Sequence, residues 1–501
     1  MLVLFAAVAM ATGSAPETAV HANACQSLAG RLDAATFESI EAKTVESKGD
    51  MPAYCRVKGT IKPSIGFEMR LPLSGWNGKF YQAGCGGYCG IINPDVPGFA
   101  NGIAEATRRG YAAIHTDSGH QRASANDASW ALGNREALEL YAHRWIPLAY
   151  AAGITIATTY YGQAPRYRYL VGCSNGGRVG LVAAQRYPTL FNGIIIGCPP
   201  ADFTQVGSAF GAWKLRTNRD GQAPILGPDF ARKLPFLIES LNGQCDGLDG
   251  KVDGLIARPS SCKIDYARIR TCPANEGGTS SPADCLTAEE KQVVRQWHEG
   301  PKDSRGRKLI GGMPVGSEDE WRVWYLPEPS NAAGTQMADG FTRYIVADPK
   351  YPGFSAKNFD FDRDPQRLAR DFALLNAKDT DLSAFRAAGG KIIMWHGMAD
   401  PLVVPWQTIS YYERVMKRMG GRAKVQKFFR FFEAPGLGHC WILPSSSAPE
   451  EFDPLVAIED WVEHGKAPDQ ILASPSKRQG SGLTVTKIRY QPYPLPPLVG
   501  Q

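Results

Sequence analysis

"YRYLVGCSNGGRVGLVAAQRYP", residues 167–188, opens as a short apolar strand, turns through small residues and continues with helical periodicity. Gly172, Cys173, Ser174, Asn175 and Gly176 fit the pattern G-x-S-x-G, and strand before and helix after are the context that gives this pattern meaning. The turn in such an elbow is so tight that flanking positions must be small, and the serine oxygen is lifted clear of the sheet. Without partners the same string can also be read as a glycine-rich turn with a capping serine.

A serine hydroxyl is a weak nucleophile until a base takes its proton, and the base needs a carboxylate to orient it. On a sheet of this kind the chain order is serine, acid, histidine. Asp400 in "MWHGMADPLVV", after the strand-like "KIIMW", and His439 in "APGLGHCW", after "KFFRFFEAP", satisfy that order. Asp117 and His120 in "HTDSGH", together with His396, also follow strand-like runs, but they break the order or suit structural hydrogen bonding. Acyl transfer further requires donors for a developing oxyanion. The backbone N–H of Asn175 is one candidate, and Gly87 in the loop "GCGGYCG" is the other, with Gly86 as the alternative.

Eleven cysteines fall into neighbours along the chain: Cys25 with Cys55, Cys85 with Cys89, Cys245 with Cys262, and Cys272 with Cys285. Order alone does not prove these pairs. Of the remaining three, Cys173 precedes the candidate nucleophile and Cys440 follows the candidate base. A bridge between them would staple two catalytic loops together; two buried free thiols are the alternative. Cys198 is then the odd thiol.

Working outward, "FEMRLPL", "KFYQAG", "YAAIHTD", "GIIIG" and "KIIMWHG" are short, apolar and bounded by breakers, while "WQTISYYERVMKRMG" has helical periodicity. Alternating strands and helices predict an α/β fold with a mostly parallel, helix-covered sheet. From about Asp202 to Asn376 the rhythm breaks: cysteines, Gly and Pro breakers, "CDGLDGKVDGLI" and the tryptophan-rich "EDEWRVWYLPEP" predict an insertion folded over the functional edge. The catalytic unit is then 25–201 and 377–501, with the insertion at 202–376. The tail "YQPYPLPPLVGQ" is expected to run extended along the surface.

The 501 residues carry 44% hydrophobic and 21% charged residues, an ordinary globular balance. The net charge of +6 arises from 55 basic and 49 acidic residues scattered without blocks, so nothing calls for nucleic acid. "MLVLFAAVAMATGSAPETAVHANAC" predicts a secretory leader over 1–24, cleaved after Ala22 or Ala24, and hence a secreted or periplasmic protein. No later stretch is apolar for long enough to span a membrane. Exported chains also favour disulfides.

"GCSNGGR", Asp400-Pro401, "GHC" at His439 and Cys440, and "CDGLDGKVDGLI", together with "ACQSLAG", "WNGKFYQAGCGG" and "WVEHGKAPDQI", resemble the tannase and feruloyl esterase family, which includes terephthalate-monoester hydrolases. The resemblance implies an α/β-hydrolase core with a large lid, Ser174, Asp400 and His439 as a triad, and a Cys173–Cys440 bridge. It also implies structural calcium held by carboxylates of Asp246, Asp249 and Asp253 and carbonyls of Lys251 and Leu255. A hard cation suits such an oxygen-rich loop, and the spacing is not that of an EF-hand. Where terephthalate-monoester hydrolases carry an arginine, this chain has Met337, shortly before Gly340 and Phe341, which weakens that reading. Trp321, Trp324, Tyr325, Met337 and Phe341 are the candidate substrate contacts, with lid core as their alternative role. The expectation is a secreted serine esterase acting on small esters of hydroxycinnamic or gallic acid. A terephthalate-monoester hydrolase, a serine peptidase and a calcium-stapled binding protein on a hydrolase scaffold are the rivals.

Overall fold

The computed structural model describes residues 17–96, 101–219, 223–273, 282–326, 332–346, 351, 353–440, 449–475 and 488–494. The apolar run at the start of the expected leader and the last residues of the proline-rich tail lie outside these.

Nine strands form one sheet: β1 (Phe37–Val45), β2 (Tyr54–Ile61), β3 (Ile65–Pro72), β4 (Lys79–Ala83), β5 (Ala112–Thr116), β6 (Tyr167–Cys173), β7 (Gly193–Gly197), β8 (Lys391–Gly397) and β9 (Phe429–Ala434). Their spatial order is β1-β2-β3-β5-β4-β6-β7-β8-β9. Strands β4 to β9 pair in parallel, whereas β1, β2, β3 and β5 pair antiparallel. This is the α/β sheet expected from the sequence. β7 is buried at every residue, as its unbroken "GIIIG" requires of a strand covered on both faces. The helix Asn175–Arg186 packs on β6 and β7, its glycines letting it lie close: a Cβ on Gly180 would stand 2.8 Å from Ile196.

From β4 the chain moves to β5 on one side and to β6 on the other. Loops leaving the carboxyl ends of β4 and β6 therefore diverge, and a crevice opens between them, where ligands of open α/β sheets settle. Between β7 and β8, the described residues form helices and short turns without a strand, packed around their own cluster of Phe210, Leu234, Leu237, Val294, Trp297 and Trp321. That cluster continues into Leu402, Val403 and Val404, just past β8.

Two further features of the fold carry no marked signal in the sequence. A second sheet of β10 (Pro449–Phe452), β11 (Ile471–Pro475) and β12 (Ile488–Tyr490) follows β9. The helix Glu17–Leu28 also runs through both expected cleavage positions, Ala22 and Ala24. His21 Nδ1 lies 2.8 Å from the Leu73 carbonyl, and Tyr160 Oη donates to the His21 carbonyl.

All five expected cysteine pairs are disulfides: Cys25–Cys55, Cys85–Cys89, Cys173–Cys440, Cys245–Cys262 and Cys272–Cys285. Cys198 is a buried free thiol.

Candidate active site

Ser174 ends β6 with φ 61° and ψ −128°, a conformation that a non-glycine residue adopts only when its surroundings force it. The forcing is visible. The Ser174 N–H donates to the Gly197 carbonyl, and Asn101 holds Cys173 from both sides, accepting from its N–H at 3.1 Å and donating to its carbonyl at 3.3 Å. A Cβ on Gly176 would stand 2.1 Å from Asn101 Oδ1, which is why the last glycine of the motif tolerates no side chain.

Asp400 lies just beyond β8 and His439 just beyond β9, on the same carboxyl edge as Ser174. His439 Nδ1 is 2.6 Å from Asp400 Oδ2, and the other carboxylate oxygen accepts the N–H groups of Leu402 and Val403. Burial pushes the Asp400 carboxyl up, but His439 and His396 more than offset this and hold it well below the ordinary carboxylate range. His396 is the structural histidine: its Nδ1 meets Thr408 Oγ1 and its Nε2 meets the Val403 carbonyl. His439 Nε2, by contrast, is buried without a partner among the described residues. The Cys173–Cys440 bridge, with Cα atoms 5.9 Å apart, joins the immediate neighbours of Ser174 and His439. Burial and the adjacent Asp400 carboxylate push the Cys198 thiol well up, so this third sulfur stays protonated beside the bridge.

Asn175 begins its helix, so its backbone N–H has no intrahelical acceptor. Its side chain is pinned: Nδ2 donates to the Cys85 carbonyl, and Oδ1 accepts from Arg178 Nε at 2.7 Å. Tyr141 Oη stands 3.1 Å from both Asn175 Oδ1 and the Gly87 carbonyl, linking the two loops. Gly87 has φ 56°, and a Cβ there would stand 2.4 Å from the Ala125 carbonyl oxygen, so the loop requires glycine. Among the described residues its N–H meets no acceptor.

Ser174, Asn175 and Gly87 line one cleft, with Tyr88, Phe203, Met337, Leu402, Val403 and Lys214 among its other walls. Of the candidate substrate contacts, Met337 lines it. Trp321 and Phe341 do not; both are fully buried core, the first against Trp297 and the second against Phe203 and Gly207. Trp324 is not among the residues lining the cleft; it stands edge-on to His439, ring centroids 5.4 Å apart, and its indole N–H donates to Glu320. Tyr325 accepts from Lys214 Nζ and donates to the Pro401 carbonyl. Spacing within a short helix does not tell which ring faces inward. Phe203, Tyr88, Asn101, Arg178 and Lys214 were not anticipated. A single asparagine or lysine in a loop or helix carries no pattern that marks it.

The acidic loop curls on itself: Asp246 accepts from the N–H groups of Asp253 and Gly254, Asp249 from Lys251, and Asp253 from Leu255. Burial, then the charges of Asp249 and Asp246, push the Asp253 carboxyl up. The donors are hard oxygens of the kind calcium takes, but among the described residues the three carboxylates do not converge as a ligand cluster; the clusters of possible ligands that do converge are Cys173, Cys198 and Cys440, and Cys198, Asp400 and His439.

A parallel sheet with a strained serine, a histidine–aspartate pair and free backbone donors gathered at its carboxyl edge defines the class of α/β-fold hydrolases. The comparisons make the placement specific. The sequence profile described as "Tannase and feruloyl esterase" matches residues 48–498, and the chain belongs to that family and is a carboxylic ester hydrolase. An uncharacterised esterase of Xanthomonas campestris pv. campestris is 33% identical over 479 residues, covering 88% of this chain and 80% of that protein. A mono(2-hydroxyethyl) terephthalate hydrolase of Piscinibacter sakaiensis is 31% identical, covering 90% and 83%. Among solved structures, feruloyl esterase B of Aspergillus oryzae superposes with a TM-score of 0.78 at 25% identity, covering 95% of this chain and 96% of that one.

Proposed function

We propose that the protein is a secreted or periplasmic serine esterase that hydrolyses esters of hydroxycinnamic or gallic acids through an acyl-enzyme intermediate. The observation that carries this is the unpartnered His439 Nε2, with Nδ1 fixed on Asp400, beside a disulfide that tethers the neighbour of Ser174. Ser174 Oγ attacks the ester carbonyl carbon as His439 Nε2 takes its proton. The oxyanion receives the N–H groups of Asn175 and Gly87, and Asp400 stabilises the imidazolium. Collapse expels the alcohol, which regains a proton from His439. Water, deprotonated by His439, then attacks the acyl-serine, releasing the acid and restoring the hydroxyl.

The names of relatives, feruloyl esterases among them, and an apolar cleft with Tyr88 and Phe203 support aromatic acids as the acyl group. Residues 202–376 act as a lid over a core of 25–201 and 377–501. Asp246, Asp249 and Asp253, with the carbonyls of Lys251 and Leu255, hold a structural calcium ion in that lid. Five disulfides and the apolar leader support export.

A fluorophosphonate probe tests the mechanism. Labelling is expected at Ser174 and lost in Ser174→Ala, along with turnover of methyl ferulate. An unlabelled wild type would favour a binding protein on a hydrolase scaffold, and a fully active Ser174→Ala would overturn the nucleophile.

A further inference from the structure

Lys214 lies on the helix Gly211–Thr217, within the insertion, and lines the cleft that also contains Ser174. It is 6% exposed. Among the described residues no carboxylate lies within salt-bridge distance of its ammonium. The carboxylate acting on it from farther away is Asp400, and Asp400 is already saturated by two histidines and two backbone N–H groups. One Lys214 donor goes to Tyr325 Oη at 2.6 Å, an oxygen that in turn donates to the Pro401 carbonyl. The rings of Phe210 and Tyr325 lie 4.5 and 4.4 Å from Nζ. An ammonium has three donors, so two remain without protein acceptors among the described residues.

Most buried lysines are paired, and leaving donors unmatched in an apolar wall is costly unless a ligand supplies the acceptor. Burial pushes this amine down to about 7, which records that cost. The two aromatic faces and the Tyr325 tether fix Nζ, so it cannot relax toward solvent as surface lysines do. The reacting end of the cleft is occupied by Ser174, Asn175 and Gly87. Lys214 lines the same cleft, so its ammonium faces the space in which the acyl group of a bound ester would lie.

We propose that Lys214 is a specificity-determining residue that binds an oxygen acceptor on the ring of the acid held in this cleft. Phenolic hydroxyls and free ring carboxylates share this chemistry. This role rests on the aromatic-ester reading above and deepens it.

The test compares kcat/KM for methyl cinnamate, methyl 4-hydroxycinnamate and monomethyl terephthalate, with 4-nitrophenyl acetate as a small-acyl reference, in the wild type and in Lys214→Met. The wild type is expected to prefer an oxygen-bearing ester over cinnamate. In Lys214→Met that preference should collapse at least tenfold, mostly through KM, as loss of a charge-assisted hydrogen bond predicts. Whichever ester loses more, hydroxyl or carboxylate, identifies the acceptor. Should the methionine variant fold poorly, Lys214→Gln carries the same comparison of ratios. A preserved ratio, with all esters falling together, would overturn the assignment and leave Lys214 a structural tie to Tyr325. So would a wild type indifferent to ring oxygens. A wild type that cleaves 4-nitrophenyl acetate but no aromatic ester would instead overturn the aromatic-ester reading itself, and Lys214 with it.

Discussion

Replacing Cys173 and Cys440 together by alanine separates two roles of one bond. The bridge closes a loop of 267 residues. In the chain-entropy description such a cross-link stabilises by about 5.6 kcal/mol, and two nested bridges of 17 and 13 residues alter that by only about 0.1 kcal/mol. Measured losses generally run lower, so a destabilisation of about 2 to 4 kcal/mol is expected. The catalytic effect has a different origin. His439 keeps its hydrogen bond to Asp400, and Ser174 keeps its N–H on the Gly197 carbonyl, so each half of the site survives on its own strand. What is lost is the tie between the halves. A misplacement of about 1 Å costs on the order of 100-fold in rate, so kcat should fall about 10- to 100-fold at 25 °C while the variant remains folded, with KM changing less. Thermal melts, steady-state kinetics on 4-nitrophenyl acetate and mass mapping of the non-reduced wild type provide the readouts. Undiminished kcat in a variant that has merely lost stability would refute positioning and leave the bridge a structural staple.

Asn101→Gly removes the clamp on Cys173 without adding strain, because glycine accepts the φ of 134° found there. Leaving the buried Cys173 N–H and carbonyl unmatched should cost about 2 to 4 kcal/mol and lower kcat; an unchanged melting temperature would show that the clamp is dispensable. His120, stacked on Trp130 at 3.8 Å, is held neutral in the fold because burial pushes its imidazole down to about 4. The unfolded chain protonates it near 6.5, so the stability it supports is complete above that pH and is lost as pH falls toward 4. His120→Phe should therefore flatten the acid side of a melting-temperature profile between pH 6.5 and 4.5; a profile parallel to wild type would exclude this histidine as the cause. Stringent chelation should lower the melting temperature, and added calcium should restore it, whereas Asp246→Asn should remove the response. No shift on chelation would count against a structural ion.

The sequence made the site legible where chemistry constrains neighbours. The elbow requires glycines beside Ser174, the triad requires a fixed order on one edge, and a bridge can reach across only if its cysteines flank residues already brought together. Strands buried on both faces, such as "GIIIG" and "KIIMW", announced themselves as unbroken apolar runs. β1, which carries a single buried residue, Phe37, at its start, reads as a polar segment and gave no such signal. Nor did β10 to β12, each of three to five residues. The cleft walls were illegible for another reason. They are assembled from the β4 loop, the start of the insertion, its Ala333–Gly340 helix and the loop after β8, so no local periodicity can report which side chains converge. Trp321 and Lys214 show this in opposite directions. The tryptophan, in a segment rich in aromatics, turned inward to the core of the segment between β7 and β8, while the lysine, which composition would assign to solvent, is buried in the cleft that Ser174 also lines, with donors to spare. A residue whose environment contradicts its ordinary preference reveals function only once the fold has placed it. On the role proposed for Lys214, substrate choice is to be sought in the segment between β7 and β8, where that residue stands, rather than on the sheet whose carboxyl edge carries Ser174, Asp400 and His439.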